Sequence, residues 1–245
     1  MTSHALDPDR ILETIGKLRE RILERFPEAS LARVAADLHD IARDHARRSE
    51  RIRRPNWLLR GLSVLLLLSA LAALAALFAG LHLREDDQLS IAEALQTLEA
   101  GLSALFFLGA SALFLLGLEM RNRRGRCLSA LHELRAMAHI VDMHQLTKDP
   151  ERLLHRGPDT TSSPARTLDA FALSRYLDYC SEMLSLMGKV AALYVQGYPD
   201  PQATAAVDDI ESLTTGLSRK IWQKIMVLEQ QRGPEPAAAA AEATA

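Results

Sequence analysis

Three histidines, three carboxylates and two thioethers crowd one stretch of the chain, His132 to Pro150, which reads HELRAMAHIVDMHQLTKDP. His132, His139 and Met143 fall on one side of a helix at spacings of seven and four, with Asp142 and His144 adjacent. Neutral imidazole at helical spacing beside a carboxylate can bind zinc, copper or nickel, so a metal-binding sensor or enzyme is one reading. The histidine pair four residues apart with a glutamate between them, as in a metallopeptidase helix, is missing. That absence favours histidines that hydrogen-bond between helices, with no metal and no cofactor. His139 can also sense pH, since a free imidazole titrates near neutrality.

A second group is acidic. Asp86, Asp87, Glu93 and Glu99 sit between two apolar runs, and in an oligomer such carboxylates can form a ring that gathers cations at an outer mouth. The plainer reading is a solvated connection. A pore of that kind would be lined by Ser63, Ser69, Ser103, Ser111 and backbone. Elsewhere the chain lacks the spacing of a zinc ribbon, a dinucleotide fingerprint or a Walker loop, so no catalytic residue is assigned and an enzyme is not expected. Cys127 and Cys180 are the two cysteines, and both fall in segments read as cytoplasmic, where thiols stay reduced.

The elements that position these groups are dominated by the two apolar runs themselves. Leu62 to Leu81 and Leu102 to Leu118 contain no charged residue. At ~1.5 Å of rise per residue, about twenty residues cover the ~30 Å hydrocarbon core of a bilayer. The runs therefore predict two transmembrane helices over 57–82 and 98–120, joined by a short acidic loop over 83–97. A cleavable leader is excluded, because about sixty mostly polar residues precede the first run. The absence of ionisable groups within both runs also disfavours a self-contained transporter.

Basic residues near a span resist translocation, whereas acidic ones matter little. Arg51, Arg53, Arg54 and Arg60 flank the first span and Arg121, Arg123 and Arg124 the second, while only Arg84 lies between them. Both termini are accordingly expected in the cytoplasm, with Trp57 at the inner headgroup level. The formal charge of -2 gives no argument for a nucleic-acid partner. Within the first span Ser69, Ala72, Ala73, Ala76 and Gly80 form a small-residue face. It is expected to meet Gly101, Ala104, Gly109 and Ala112 of the second.

Outside the spans, stripes of apolar residues predict cytoplasmic helices. Asp7-Pro8 reads as a cap followed by proline at the first helical position, and Ile11, Ile15, Leu18 and Ile22 share a face up to Pro27. From Ser30, the residues Leu31, Val34, Leu38, Ile41 and His45 alternate three and four apart, as on a coiled-coil seam. This helix is expected to continue through the arginines into the first span. His45 is read as an interface residue. Ser90 and Glu93 resemble a capping box that starts the second spanning helix. Leu128, Leu131, Leu134, Ala138 and Val141 carry a helix out of the membrane over 121–155. After a Pro, Ser and Thr linker at 156–167, a helical hairpin over 168–232 turns at Gly197 to Pro201. Its first helix carries Phe171, Leu177, Cys180, Leu184, Met187, Ala191 and Tyr194. Its second carries a stripe from Val207 to Leu228, with Arg219, Lys220 and Lys224 near Trp222. Residues 233–245 read as a disordered tail.

The segment from His132 to Pro150, with Tyr179-Cys180 to Tyr194 and Leu213 to Met226, resembles a set of uncharacterised bacterial two-span inner-membrane proteins. The resemblance covers most of the chain after the second span. It implies bacterial origin and the same topology, and it assigns no catalytic residue.

The expectation is thus an all-α protein: a transmembrane helical hairpin carrying a cytoplasmic bundle built from N-terminal and C-terminal helices. A multi-pass scaffold or regulatory protein of the bacterial inner membrane fits best. It would touch the lipid bilayer and, through its cytoplasmic helices, a second copy or another protein. The alternatives are the two-span channel or mechanical sensor and the metal-binding protein.

Overall fold

A computed structural model describes residues 5–83, 91–150, 161–163 and 168–232. Among the described residues the chain is all-helical. Six helices run in order: α1 Pro8–Arg25, α2 Ser30–Arg53, α3 Trp57–Leu83, α4 Ile91–Leu146, α5 Ala170–Ala192 and α6 Pro201–Arg232. They fall into two compact units. One gathers the chain up to Arg53 and from Cys127 onward; the other is Arg54–Arg126.

The first unit is a bundle of α1, α2, the last five turns of α4, α5 and α6. Asp7 accepts a hydrogen bond from the Asp9 amide at 3.0 Å with Pro8 next in line, which fixes the start of α1. The chain leaves α1 at Phe26 and Pro27, and α2 starts at Ser30 as its stripe requires. Ile11, Ile15, Leu18 and Ile22 are all buried. On α2 the buried seam runs Leu31, Val34, Leu38, Ala42, His45, Ser49 and Ile52. Ala42 takes the place expected for Ile41, because a straight helix of 3.6 residues per turn drifts off a strict three-and-four repeat.

The bundle face of α4 passes through Cys127, Ala130, Leu131, Leu134, Met137, Ala138 and Val141. Cys127 stands where Leu128 was expected, and Leu128 is only half-buried. The α5 helix is the centre of the bundle, with Leu173, Leu177, Cys180, Met183, Leu184 and Met187 buried on a broad face. Phe171, expected on that face, lies before it and is exposed. Asp169 caps α5 through the Ala172 amide at 2.7 Å, and Asp200 caps α6 through the amides of Gln202 and Ala203 at 3.1 and 3.0 Å. Gly197 does not end a helix, since α5 stops at Ala192. It is needed for close approach: a Cβ there would lie 2.6 Å from Arg53 Cγ.

The expected single helix from the bundle into the first span does not form. Arg54, Pro55 and Asn56 break it. Proline has no amide to donate and crowds the preceding residue out of helical geometry. Asn56 then starts α3 afresh, its side-chain oxygen accepting from the Leu58 and Leu59 amides at 3.2 and 3.5 Å.

The second unit holds two helices long and apolar enough to cross a membrane. Their most apolar windows have mean hydropathies of 2.2 and 2.1, with 11% and 6% of their residues buried. Leu65, Leu68 and Leu71 on α3 and Phe106, Phe107, Leu113 and Phe114 on α4 are exposed. The α3 helix extends to Leu83 and α4 begins at Ile91, so 91–97 of the expected loop are helical. Ser90 of the expected capping box, Asp86 and Asp87, most of the linker and the tail lie outside the described residues.

The small-residue face expected on α3 is displaced. Ser69, Ala72, Ala73 and Ala76 are exposed, and among the described side chains of α3 the buried positions are Ser63 and Ala70. On α4 Ala112 is buried and Gly101, Ala104 and Gly109 are half-buried, as expected.

The core assignment is checked by two truncations. Leu184→Ala, at a fully buried site, is expected to cost about 2–5 kcal/mol in reversible unfolding of the detergent-solubilised chain. Leu146→Ala, on an exposed turn, is expected to change stability by less than ~0.5 kcal/mol. Equal losses would show that α5 is not the centre of the core.

Candidate functional site

A polar side chain packed into a helical bundle needs a partner, and the first unit contains one extended example. His45 of α2 is fully buried, yet both its ring nitrogens are used. Nδ1 lies 3.0 Å from the Tyr194 hydroxyl and Nε2 lies 3.2 Å from Glu133 Oε2. Arg48, one turn along α2, donates to both Glu133 oxygens at 2.8 and 2.9 Å. The chain Tyr194–His45–Glu133–Arg48 therefore joins α2, α4 and the segment that follows α5.

Electrostatics assigns the protons. Burial pushes the His45 imidazole below its ordinary value and outweighs the attraction of Glu133. A neutral ring donates Nε2–H to the Glu133 carboxylate and accepts the Tyr194 O–H at Nδ1, which satisfies every group. Burial pushes the Glu133 carboxyl up, but the hydrogen bonds and charge of Arg48 outweigh it and hold the carboxyl below its usual range. Burial also raises the Tyr194 phenol, so it stays protonated. A hydroxyl, an imidazole and a carboxylate in series are the parts of a nucleophile relay. Here the hydroxyl is itself buried, so the relay has no surface from which to meet a substrate. What it does is fix three segments in register.

A second polar joint closes the end of α4. Lys224 of α6 donates to the Gln145 carbonyl at 2.9 Å, to Gln145 Oε1 at 2.7 Å and to the Lys148 carbonyl at 3.3 Å. A cation is favourable against the unpaired carbonyls of a helix C-terminus. Gln145 is held in turn by its donation to Asp142 at 2.6 Å. Burial draws the Lys224 amine below its ordinary value. Of the three cations expected near Trp222, Lys224 thus serves another helix, while Arg219 and Lys220 are exposed.

A third cluster sits in the second unit. Glu119 is buried, with its side chain 5% exposed. Its Oε1 accepts from the Asn56 amide at 3.1 Å and lies 3.8 Å from Arg123; its Oε2 lies 3.4 Å from Arg60 Nε. Arg60 and Arg123, read from sequence only as flanking charges, converge on a carboxylate that reading passed over. Of the other flanking residues, Trp57, Arg51 and Arg121 are exposed, and Arg53 pairs with Glu50 at 2.8 Å.

The histidine set does not assemble. His132 and His139 are exposed, Asp142 is engaged with Gln145, and Met143 is exposed. No group of three or more His, Cys, Asp or Glu positioned for a metal is found among the described residues. Met143 and His144 do line a groove of about 590 Å³ with Ala29, Ser30, Ile140 and Tyr176. His144 Nδ1 donates there to the Ile140 carbonyl at 3.0 Å. Glu99 is exposed on α4. Ser63 and Ser69 donate to the Leu59 and Leu66 carbonyls at 2.9 and 2.8 Å, so both hydroxyls serve their own helix rather than a pore. Both thiols are buried, Cys127 pushed up to about 11 and Cys180 to about 12 by desolvation, which makes them inert as nucleophiles.

The lowered imidazole sets a pH dependence. Unfolded His45 takes up a proton below its ordinary value of 6.5, while the folded ring resists it. Stability is therefore expected to be full above about pH 6.5 and to fall as pH drops below it. Glu133 adds a loss in the same direction below its own ordinary value of 4.5. In chemical denaturation between pH 5 and 8, His45→Gln should flatten the upper part of this slope. Tyr194→Phe should cost about 1–3 kcal/mol by leaving Nδ1 without a donor. A wild-type chain that gained stability on acidification would place a charged imidazolium in the fold and refute the assignment.

Compared with protein-family models, curated proteins and solved structures, the chain matches none.

Proposed function

We propose that the chain is a membrane-anchored helical scaffold or regulatory protein of the bacterial inner membrane, with both ends in the cytoplasm and no catalysis of its own. The observation that carries this reading is the bareness of the apolar windows in α3 and α4, of which 11% and 6% is buried. A helix that is apolar all round and finds no protein to cover it suits a lipid surrounding. Two crossings return the chain to the side it came from. The arginines on the outer flanks of the pair favour the cytoplasm as that side.

The polar interior of the bundle supports a structural task. Tyr194, His45, Glu133 and Arg48 satisfy one another, as do Lys224 and Gln145, and both clusters join separate helices. What the bundle offers outward is helix surface, suited to a second copy or to another protein. The bacterial source rests on the resemblance of the His132 to Pro150 segment.

Fractionation and crosslinking test the proposal. The full chain is expected to stay with membranes through an alkaline wash and to be released by detergent. Tags at either end should resist protease added outside spheroplasts, and crosslinking in native membranes should give a dimer or a defined complex. Recovery in the aqueous fraction would end the anchor, cleavage of either tag would end the topology, and monomer alone would end the scaffold.

A further inference from the structure

We infer that the outward row of α4 from Ser129 to Leu146 is the seam along which two copies of this chain pair in parallel. This pairing deepens the scaffold reading above and rests on its membrane placement.

Ser129, His132, Ala136, His139, Met143 and Leu146 alternate three and four residues apart, and all six are exposed. Met143 and Leu146 are 67% and 61% exposed. None of the six is an acid, a lysine or an arginine. The contrast with α2 is sharp, because every residue of α2 exposed between Leu31 and Ser49 is an arginine or an aspartate. Nor does the core of the bundle account for the row, since α4 already buries Leu131, Leu134, Ala138 and Val141 on its other side. An uncharged seam with this alternation is the pattern of a two-stranded coiled coil. The histidines and the methionine, prominent in the sequence by residue type, have their place in it.

Three features assign the seam to a second copy. First, α4 is one helix from Ile91 to Leu146, so the row starts about 16 Å beyond Leu118 along the helix and ends about 42 Å beyond it. Lipid around the apolar window does not reach so far. Second, copies held in one membrane with the same topology run their α4 helices the same way, which is the orientation a parallel seam needs. Third, two-fold pairing sets each seam residue against itself, so a charge at any of the six would repel its own copy.

The flanks of the row are neutralised within each chain. Glu133 is met by Arg48 at 2.8 Å and Arg135 lies 3.9 Å from Asp209. Asp142 accepts from Gln145, which also holds Lys224 at 2.7 Å. In parallel register Arg135 would meet Ile140 of the second copy and Asp142 its Thr147, so no like charges oppose. A face for an unlike partner gains steering and specificity from net charge, whereas a face that meets itself must do without it. The row is about two and a half heptads long, which is short for free helices. These are already folded in the bundle, and confinement to one membrane raises their effective concentration. In dilute detergent the pair is expected to separate.

The test uses the full chain in native membranes, with one cysteine added at Ala136, at Met143 or, as a control, at Arg33, followed by mild oxidation. Both native thiols are buried, so the wild-type chain should give no linked dimer. Ala136→Cys and Met143→Cys should each give a disulfide-linked dimer, because facing positions of a parallel seam lie within disulfide reach, and Arg33→Cys should not. Adding Ala136→Glu to Met143→Cys should lower the linked fraction about tenfold or more. Coexpression with a chain carrying Ala136→Lys and Met143→Cys should restore linkage between the two, a rescue that neither misfolding nor an unlike partner would give.

Linkage at Arg33 but not at Ala136 would overturn the seam and leave a self-associating scaffold standing. Linkage of the Ala136→Cys chain to a different protein would overturn the second copy as occupant. No dimer at either seam position in a chain that stays with membranes would overturn the pairing alone. A chain recovered in the aqueous fraction would overturn the membrane placement with it.

Discussion

Hydrocarbon side chains that no protein covers set the terms for this molecule. In a water-soluble helical protein an apolar stripe is matched by another stripe, and the bundle of α1, α2, α5, α6 and the end of α4 obeys that rule. The α3 helix and the first half of α4 do not: leucines and phenylalanines project from them on several sides and are exposed. At ~25 cal/mol per Å² of apolar surface, leaving so many in water would oppose folding strongly. On the proposed reading a bilayer removes that penalty, and the backbone is no obstacle because each helix satisfies its own amides and carbonyls.

The same constraint explains where polar groups gather. Within α3, serine hydroxyls turn back to carbonyls of their own helix. Charge appears only where the apolar windows end, and there Glu119 is matched by two arginines and an amide rather than left alone. In the bundle, Glu133 is treated alike, with Arg48 and a neutral histidine as partners. For the buried Glu119, removing one partner costs more than the pair itself contributes, because the remaining charge stays desolvated. These clusters therefore specify which faces meet more than they add stability.

Much of the fold was legible because local rules and packing agree. The α1 stripe, its Asp7-Pro8 start, the end of α4 near Thr147 and the beginning of α6 at Pro201 each rest on one or two neighbouring residues and a helical period. The errors fall where a local rule meets a weak signal. A helix continuing through Pro55 ignored the strongest breaker in the region. The face of α3 was misplaced because a helix apolar all round carries no direction in its periodicity. Ser69, Ala73 and Ala76 are small, but nothing in their spacing distinguishes them from Ser63 and Ala70. At Ile41 and Leu128 the stripe was right and the register was off by one residue.

The polar clusters were less legible, for a different reason. His45 and Tyr194 are 149 residues apart, and His45 and Glu133 are 88 apart. No local period relates them. The usable signal was that His45 and Ser49 continue an otherwise apolar stripe, since a polar side chain pointed into a core demands a partner. The stripe identifies His45 as an interface residue, but no local pattern names Tyr194. Glu119 carried a comparable signal, a single acid among arginines at the edge of an apolar run, and was absorbed into the flank. By contrast, His132, His139 and Met143 drew notice through residue type, yet their spacing of seven and four sets them on the outward side of α4, because Leu131, Leu134 and Ala138 already occupy the inward one. A stripe claimed by the core leaves the remaining faces to solvent, so the apolar pattern decides where the histidines lie more firmly than their own residue type does.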